Sequence, residues 1–251
     1  MKRFLLGSAL ALALANQASA LTPTSLVNYS TSSGSTSYTT GAASAGCATG
    51  QVAVAAIGNV TQNPTSFKDS TDNNTASWTQ VGLVNDHGVI AFYKRVVGAT
   101  AISTSTTFTE TNGAGSGGVI INVYCVTDGV GAGALAGDGS FDAGATTTLS
   151  TNSPAPSAGT SYQFAAYGNN NAVISSYPAS GSDASWQTAL NSTAVTNFAM
   201  AVSWRQAAGA ATIKGTAGAF SFGIISFAEV TTSGGGGATA KSQSMNLLGV
   251  Q

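Results

Sequence analysis

The chain has 251 residues and carries only 8 basic and 9 acidic side chains, so charged residues make up 7% of it, against roughly 25% in an ordinary globular protein. A net charge of −1 and a single histidine leave no basic stripe for a nucleic-acid backbone and no tetrahedral ligand set for zinc. A hydrophobic content of 43%, with 10 Phe, 7 Tyr and 3 Trp, supports a packed core and excludes wholesale disorder.

The chain opens with Lys2 and Arg3, an apolar run from Phe4 to Ala15, and the small-x-small ending Gln17-Ala18-Ser19-Ala20. That layout predicts a signal peptide over residues 1–20, cleaved after Ala20. The alternative is an uncleaved helix that anchors the protein. The apolar run is shorter than the ~20 residues a transmembrane helix needs, and no later stretch reaches that length. The mature chain is therefore expected to be secreted or held at a cell surface, with no integral membrane segment. Loss of Lys2 and Arg3 leaves 6 basic against 9 acidic side chains, a net charge of about −3.

Beyond residue 20, apolar alternation at period two dominates and helical periodicity is nearly absent. Strands are predicted at Ser25 to Tyr29, Gln51 to Gly58, Trp78 to Val84, Val89 to Val97, Ser105 to Thr111 and Val119 to Val126. They continue at Tyr162 to Tyr167, Ala172 to Tyr177, Asn197 to Gln206, Ala211 to Thr216 and Ala219 to Val230. Turns are expected at Asn85-Asp86-His87-Gly88, Asn112-Gly113 and Asn169-Asn170-Asn171. Many short strands at close spacing indicate an all-β antiparallel sandwich or barrel.

Two further features stand out. Asp69, Asp72, Asn73 and Asn74 form an oxygen-rich loop that is a weak calcium candidate, without EF-hand spacing or its glycine. Its simpler reading is an Asx-rich connection. Cys47 and Cys125 suit one disulfide in an exported protein, worth about 4 kcal/mol by loop closure, or equally two buried thiols packed as small hydrophobes.

Compared with itself, the chain repeats four features in one order. Gln51 to Asn59, Trp78 in Ala-Ser-Trp, Tyr93 to Thr100 and Gly118 to Val126 are answered by Tyr162 to Asn169, Trp186 in Ala-Ser-Trp, Trp204 to Ala210 and Phe222 to Val230. In this alignment Tyr93-Lys94 falls on Trp204-Arg205. Two related halves, about 25–128 and 141–230, are expected to form one sandwich over 21–230. Trp78 and Trp186, at matching positions, are expected in the core.

These residues carry a resemblance. Trp78, Tyr93-Lys94, Gly117-Gly118 and Tyr124-Cys125-Val126-Thr127-Asp128, with Gln206 to Ala210 and Ile224 to Val230 in the second half, resemble a duplicated jelly-roll-like β-sandwich module of secreted bacterial surface proteins and phage structural proteins. The resemblance implies a jelly-roll-like antiparallel sandwich and a structural role, since its motifs are fold signatures without catalytic meaning. Cys125 departs from the small residues usual at that place.

Residues 231–251 read as a Gly-rich linker and a tail whose apolar residues Met245, Leu247, Leu248 and Val250 are a candidate assembly segment by strand addition, or else an unstructured end.

No catalytic residues emerge. His87 lies in a turn without a nucleophile elbow, and the two glutamates, Glu110 and Glu229, have nothing that pairs them as a glycosidase requires. Glu110, flanked by threonines, reads as exposed. Tyr29, Tyr38 and Tyr177, in polar surroundings, are the aromatics to look to if any is exposed as a stacking platform for sugars. The sequence thus predicts a non-enzymatic structural or adhesive module of a cell surface, filament or virion. Its partners would be copies of itself, other surface or virion proteins, or glycans, with no cofactor unless calcium. A calcium-assisted carbohydrate-binding protein is the alternative, and a glycan-active enzyme a more distant one.

Overall fold

The longest apolar stretches become strands covered on both faces, and that fact sets the architecture. The computed structural model describes residues 22–72, 77–85, 88–126, 138–144, 148–151, 161–169, 174, 177–183, 186–195, 198–207, 211–215 and 220–228. Among them the first half forms β1 (Thr24–Thr31), β2 (Ser35–Thr39), β3 (Val52–Asn59), β4 (Pro64–Asp69), β5 (Thr79–Asn85), β6 (Val89–Val96), β7 (Phe108–Ser116) and β8 (Val119–Val126). The second forms β9 (Asp138–Gly144), β10 (Thr148–Thr151), β11 (Ser161–Asn169), β12 (Gln187–Val195), β13 (Phe198–Ala207), β14 (Ala211–Lys214) and β15 (Phe220–Ala228). The protein is all-β, and every strand pairing is antiparallel. No helix among the described residues is long and apolar enough to cross a membrane.

Two five-stranded sheets, β1-β8-β3-β6-β5 and β12-β13-β11-β15-β9, are accompanied by the smaller sheets β2-β7-β4 and β10-β14. Alternate residues of β3, β6 and β8 face opposite ways. Val52, Val54, Phe92, Ile120 and Tyr124 meet Phe164, Phe198, Met200, Val202 and Trp204 of the other large sheet. Ala53, Ala55, Ile57, Ile121 and Val123 meet Tyr38, Phe67 and Phe108 of the three-stranded sheet. On the far side, Ala165, Tyr167 and Ala199 pack with Ile213 of β14 and with Trp186. The sheets therefore stack in four layers, small, large, large, small. That is why all eight positions of β3 and of β8 are buried, the pattern of a strand between two covered faces.

With no described counterpart of β4 in the second half, β9, β11, β12, β13 and β15 answer β1, β3, β5, β6 and β8, and the large sheets have one strand order. Where the first reads β1-β8-β3-β6-β5, the second reads β9-β15-β11-β13-β12 from its opposite edge. The central layer is tight at Phe198, whose ring lies against Gly58, Gly88 and Gly168. At Gly88, φ is 101° and a Cβ would stand 2.4 Å from that ring, so only glycine fits there.

Most predicted strands stand where expected, β8 with identical limits. Three expectations change. Asn112-Gly113 lies inside β7 and not in a turn, because β7 runs on to Ser116 between β2 and β4. Ile174 and Tyr177, the described residues of the strand expected at Ala172 to Tyr177, are not in a strand. Tyr38, one of the three aromatics singled out as candidates for exposure, is buried, its hydroxyl donating to Ser33 O at 2.9 Å and accepting from Ser35 N at 3.0 Å.

Candidate functional site

The polar groups that the sequence isolates are gathered by the layers into buried clusters. The first lies at the end of β4 and β6. Asp69, 1% exposed, accepts from Trp78 Nε1 at 2.8 Å, from Thr71 N at 2.9 Å, and from Arg95 Nη1 and Thr71 Oγ1. Arg95, 3% exposed, also reaches Asp72 Oδ2 at 3.1 Å. Burial alone would raise the Asp69 carboxyl, but hydrogen bonds from Thr71, Arg95 and Trp78 outweigh it and hold the group below its ordinary range.

Asp69 and Asp72, the calcium candidates, are thus brought together, and the cation between them is the Arg95 guanidinium. Asn73 and Asn74 lie outside the described residues. Asp69→Ala strands the buried guanidinium, and breaking such a pair from one side costs about 3–5 kcal/mol. Asp72, whose side chain is 28% exposed, should matter by less than about 1 kcal/mol. Urea unfolding of the two variants at pH 7 checks this ranking.

The second half builds a related arrangement. Arg205 of β13 donates to Asp183 Oδ2 at 2.6 Å and to Gln163 Oε1, and stands 5.1 Å from the Trp186 ring centroid, within cation–π range. Asp183 also accepts from Thr212 N at 2.7 Å, and Trp186 Nε1 donates to Thr212 O at 3.0 Å. Trp78 and Trp186 are both buried, as expected. The strand register corrects the repeat alignment by one residue. Arg95 lies across from Ala53 and Arg205 across from Gln163, each six residues before the Asn59 or Asn169 that ends its central strand. Trp204 therefore takes the place of Lys94, and Arg205 that of Arg95. Burial pushes the Lys94 ammonium down.

The third cluster is the one that the sequence misplaced. Glu110 sits mid-strand in β7, paired with Tyr38 of β2 and Phe67 of β4. Its side chain faces the large sheet with Phe108 and Asn112 and is 0% exposed. Neither carboxyl oxygen has a hydrogen-bond partner of good geometry among the described residues, nor does Asn112 Nδ2. Asn59 Nδ2 donates to Asn112 Oδ1 at 2.8 Å, and Tyr93 donates to Pro64 O at 3.3 Å. Burial pushes Glu110 up to about 8, with the nearby Asn59 amide offsetting part of the rise. Burial, with the Glu110 charge added, pushes Tyr93 up to about 12.

Cys47 and Cys125 form a disulfide, Cα–Cα 5.6 Å, across 78 residues of chain. It ties the segment before β3 to β8, beside a two-way backbone bridge between Cys47 and Ile102 at 2.9 and 3.0 Å. Of the other two aromatics singled out as candidates for exposure, Tyr29 is half-buried against the core and Tyr177 stacks on Tyr167 with centroids 5.6 Å apart.

What the first half offers to solvent is the outer face of β2-β7-β4. Ser37, Thr111 and Ser66 are in register across it, as are Thr39, Thr109 and Lys68. All six are exposed or half-buried. The Thr39 and Thr109 hydroxyls are 3.0 Å apart.

Residues 1–20, His87, Glu229 and the tail residues Met245, Leu247, Leu248 and Val250 lie outside the described residues. Among the described residues no group of three His, Cys, Asp or Glu side chains is placed to hold a metal ion. No protein-family model matches the chain, and neither a curated protein nor a solved structure matches it.

Proposed function

We propose that this protein is a non-enzymatic structural or adhesive module, exported to a cell surface, filament or virion. The observation that carries the reading is the outer face of β2-β7-β4. Five hydroxyl side chains and a single cation stand in two cross-strand rows there, on strands about 4.8 Å apart, with rows about 7 Å apart along the strand. Such a face meets a copy of itself or a hydroxylated glycan with only the Lys68 charge to desolvate, and charge desolvation is the costly part of most polar contacts.

The interior supports the same reading. Arg95, Asp69, Asp183 and Arg205 are spent on holding sheets together, and the disulfide suits an oxidising compartment. We also propose that each half is a jelly roll and that the halves arose by duplication. Eight strands over facing sheets β1-β8-β3-β6-β5 and β2-β7-β4, and the repeated order in the second half, support this.

The test is a double variant, Thr39→Lys with Thr109→Lys, which puts two cations on the proposed contact face and leaves the core untouched. Retention on insoluble neutral polysaccharide, or self-association measured by sedimentation, should weaken about tenfold or more. A folded double variant that binds and associates as well as the parent contradicts the reading.

A further inference from the structure

We propose that Glu110 and Asn112 enclose a hydration site, in which one water molecule is sealed between the three-stranded outer sheet and the large sheet beneath it. Glu110 is 0% and Asn112 5% exposed. Two residues apart on β7, they point to one face of the strand, and each leaves polar atoms without a hydrogen-bond partner of good geometry among the described residues: both carboxyl oxygens of Glu110, which the Asn59 amide approaches without good geometry, and Nδ2 of Asn112. A buried polar atom without a partner costs about 1–3 kcal/mol, and native proteins meet that cost with an internal water of two to four hydrogen bonds.

The unpartnered set selects the guest. Two acceptors and one N–H donor suit a small neutral molecule that both donates and accepts. Water fits either protonation state of Glu110: it donates to the carboxylate oxygens, or it accepts from the carboxylic O–H while donating to the carbonyl oxygen. A cation would face the amide hydrogens of Asn112 and of Asn59, whose Nδ2 lies 2.8 Å from Asn112 Oδ1. An anion would face the carboxyl group. Tyr38 and Phe67, the cross-strand partners of Glu110, are buried like Glu110 itself, so the water should be long-lived.

A crystal structure of the full chain at pH 6 tests this. The expected result is one solvent peak within about 3 Å of a Glu110 carboxyl oxygen and of Asn112 Nδ2. Two results would overturn it: the carboxyl and amide meeting directly with no peak between them, or a peak bound only by oxygens at about 2.4 Å, which is a cation's distance. In solution, oxygen-17 relaxation dispersion should lose one long-lived water in Glu110→Met, a side chain of similar length without the carboxyl, while far-UV circular dichroism stays the same. An unchanged count of long-lived waters overturns the proposal as well. If Glu110→Met does not fold, the crystal structure decides alone.

Discussion

Glu110→Gln should make the protein more stable at pH 9 by about 3–5 kcal/mol and should flatten its stability between pH 5 and pH 9. The carboxyl is 0% exposed and titrates near 8 in the folded chain, whereas in the unfolded chain it has an ordinary value near 4.5. Folding therefore favours the protonated form. The contribution is fully present below pH 4.5, falls by about 1.4 kcal/mol per pH unit as pH rises toward 8, and is flat above that.

The groups facing Glu110 do not reverse that sign. Asn59 from β3 and Asn112 from β7 are neutral amides, Tyr93 from β6 is itself pushed up, and Tyr38 from β2 turns its hydroxyl to Ser33 and Ser35. Arg95, on β6 with Tyr93, is engaged by Asp69 and Asp72, and Lys68, across from Thr109, lies in the outer-face row of β4. Glutamine keeps the shape and cannot ionise. Urea unfolding of parent and variant across pH 5 to 9 gives the answer: parallel curves would mean that the carboxyl finds solvent or a cation in the folded state.

Replacing Cys47 and Cys125 together by alanine should cost about 4–5 kcal/mol, the loop-closure entropy expected when a tie across 78 residues is removed. Both sulfurs are buried, Cys47 at 1% and Cys125 at 0%, so the double variant is a cleaner probe than a reductant, which must wait for the chain to open. A melting temperature lower by several degrees is the expected result. A loss under about 1 kcal/mol would show that the Cys47 to Ile102 bridge and the surrounding core hold this segment without the covalent tie.

The strands that were legible were those buried on both faces. Val119 to Val126 is apolar at all but one position and starts behind Gly117-Gly118, so its limits needed no partner to define them. The strands β2, β4, β9, β10 and β12 were illegible because each holds few apolar residues, one to four, among polar or small ones. In Ser35–Thr39 one apolar residue, Tyr38, points inward, too little for a period to register. Such strands exist because a neighbouring layer supplies their hydrophobic contact, which is tertiary context and not propensity.

The buried clusters divide in the same way. Trp78 and Trp186 announced a shared core role through their repeated setting, and the register shows Arg95 and Arg205 at matching places beside them. Glu110 was misread because threonines flank it, although Phe108, two residues away, marks the inward face of that strand. Asn112-Gly113 looks like a turn in isolation. Within β7, Asn112 is held by Asn59 from the sheet below, and the chain stays extended.

The measurement that bears most directly on the role assigned here is sedimentation velocity of the chain purified from its source, in the presence and absence of neutral polysaccharide, with the reaction mixture assayed for released sugar. A structural or adhesive module predicts assemblies larger than one chain, or co-sedimentation with the polysaccharide, and no released sugar. A single-chain species that leaves the polysaccharide unbound, or that cleaves it, would contradict that role.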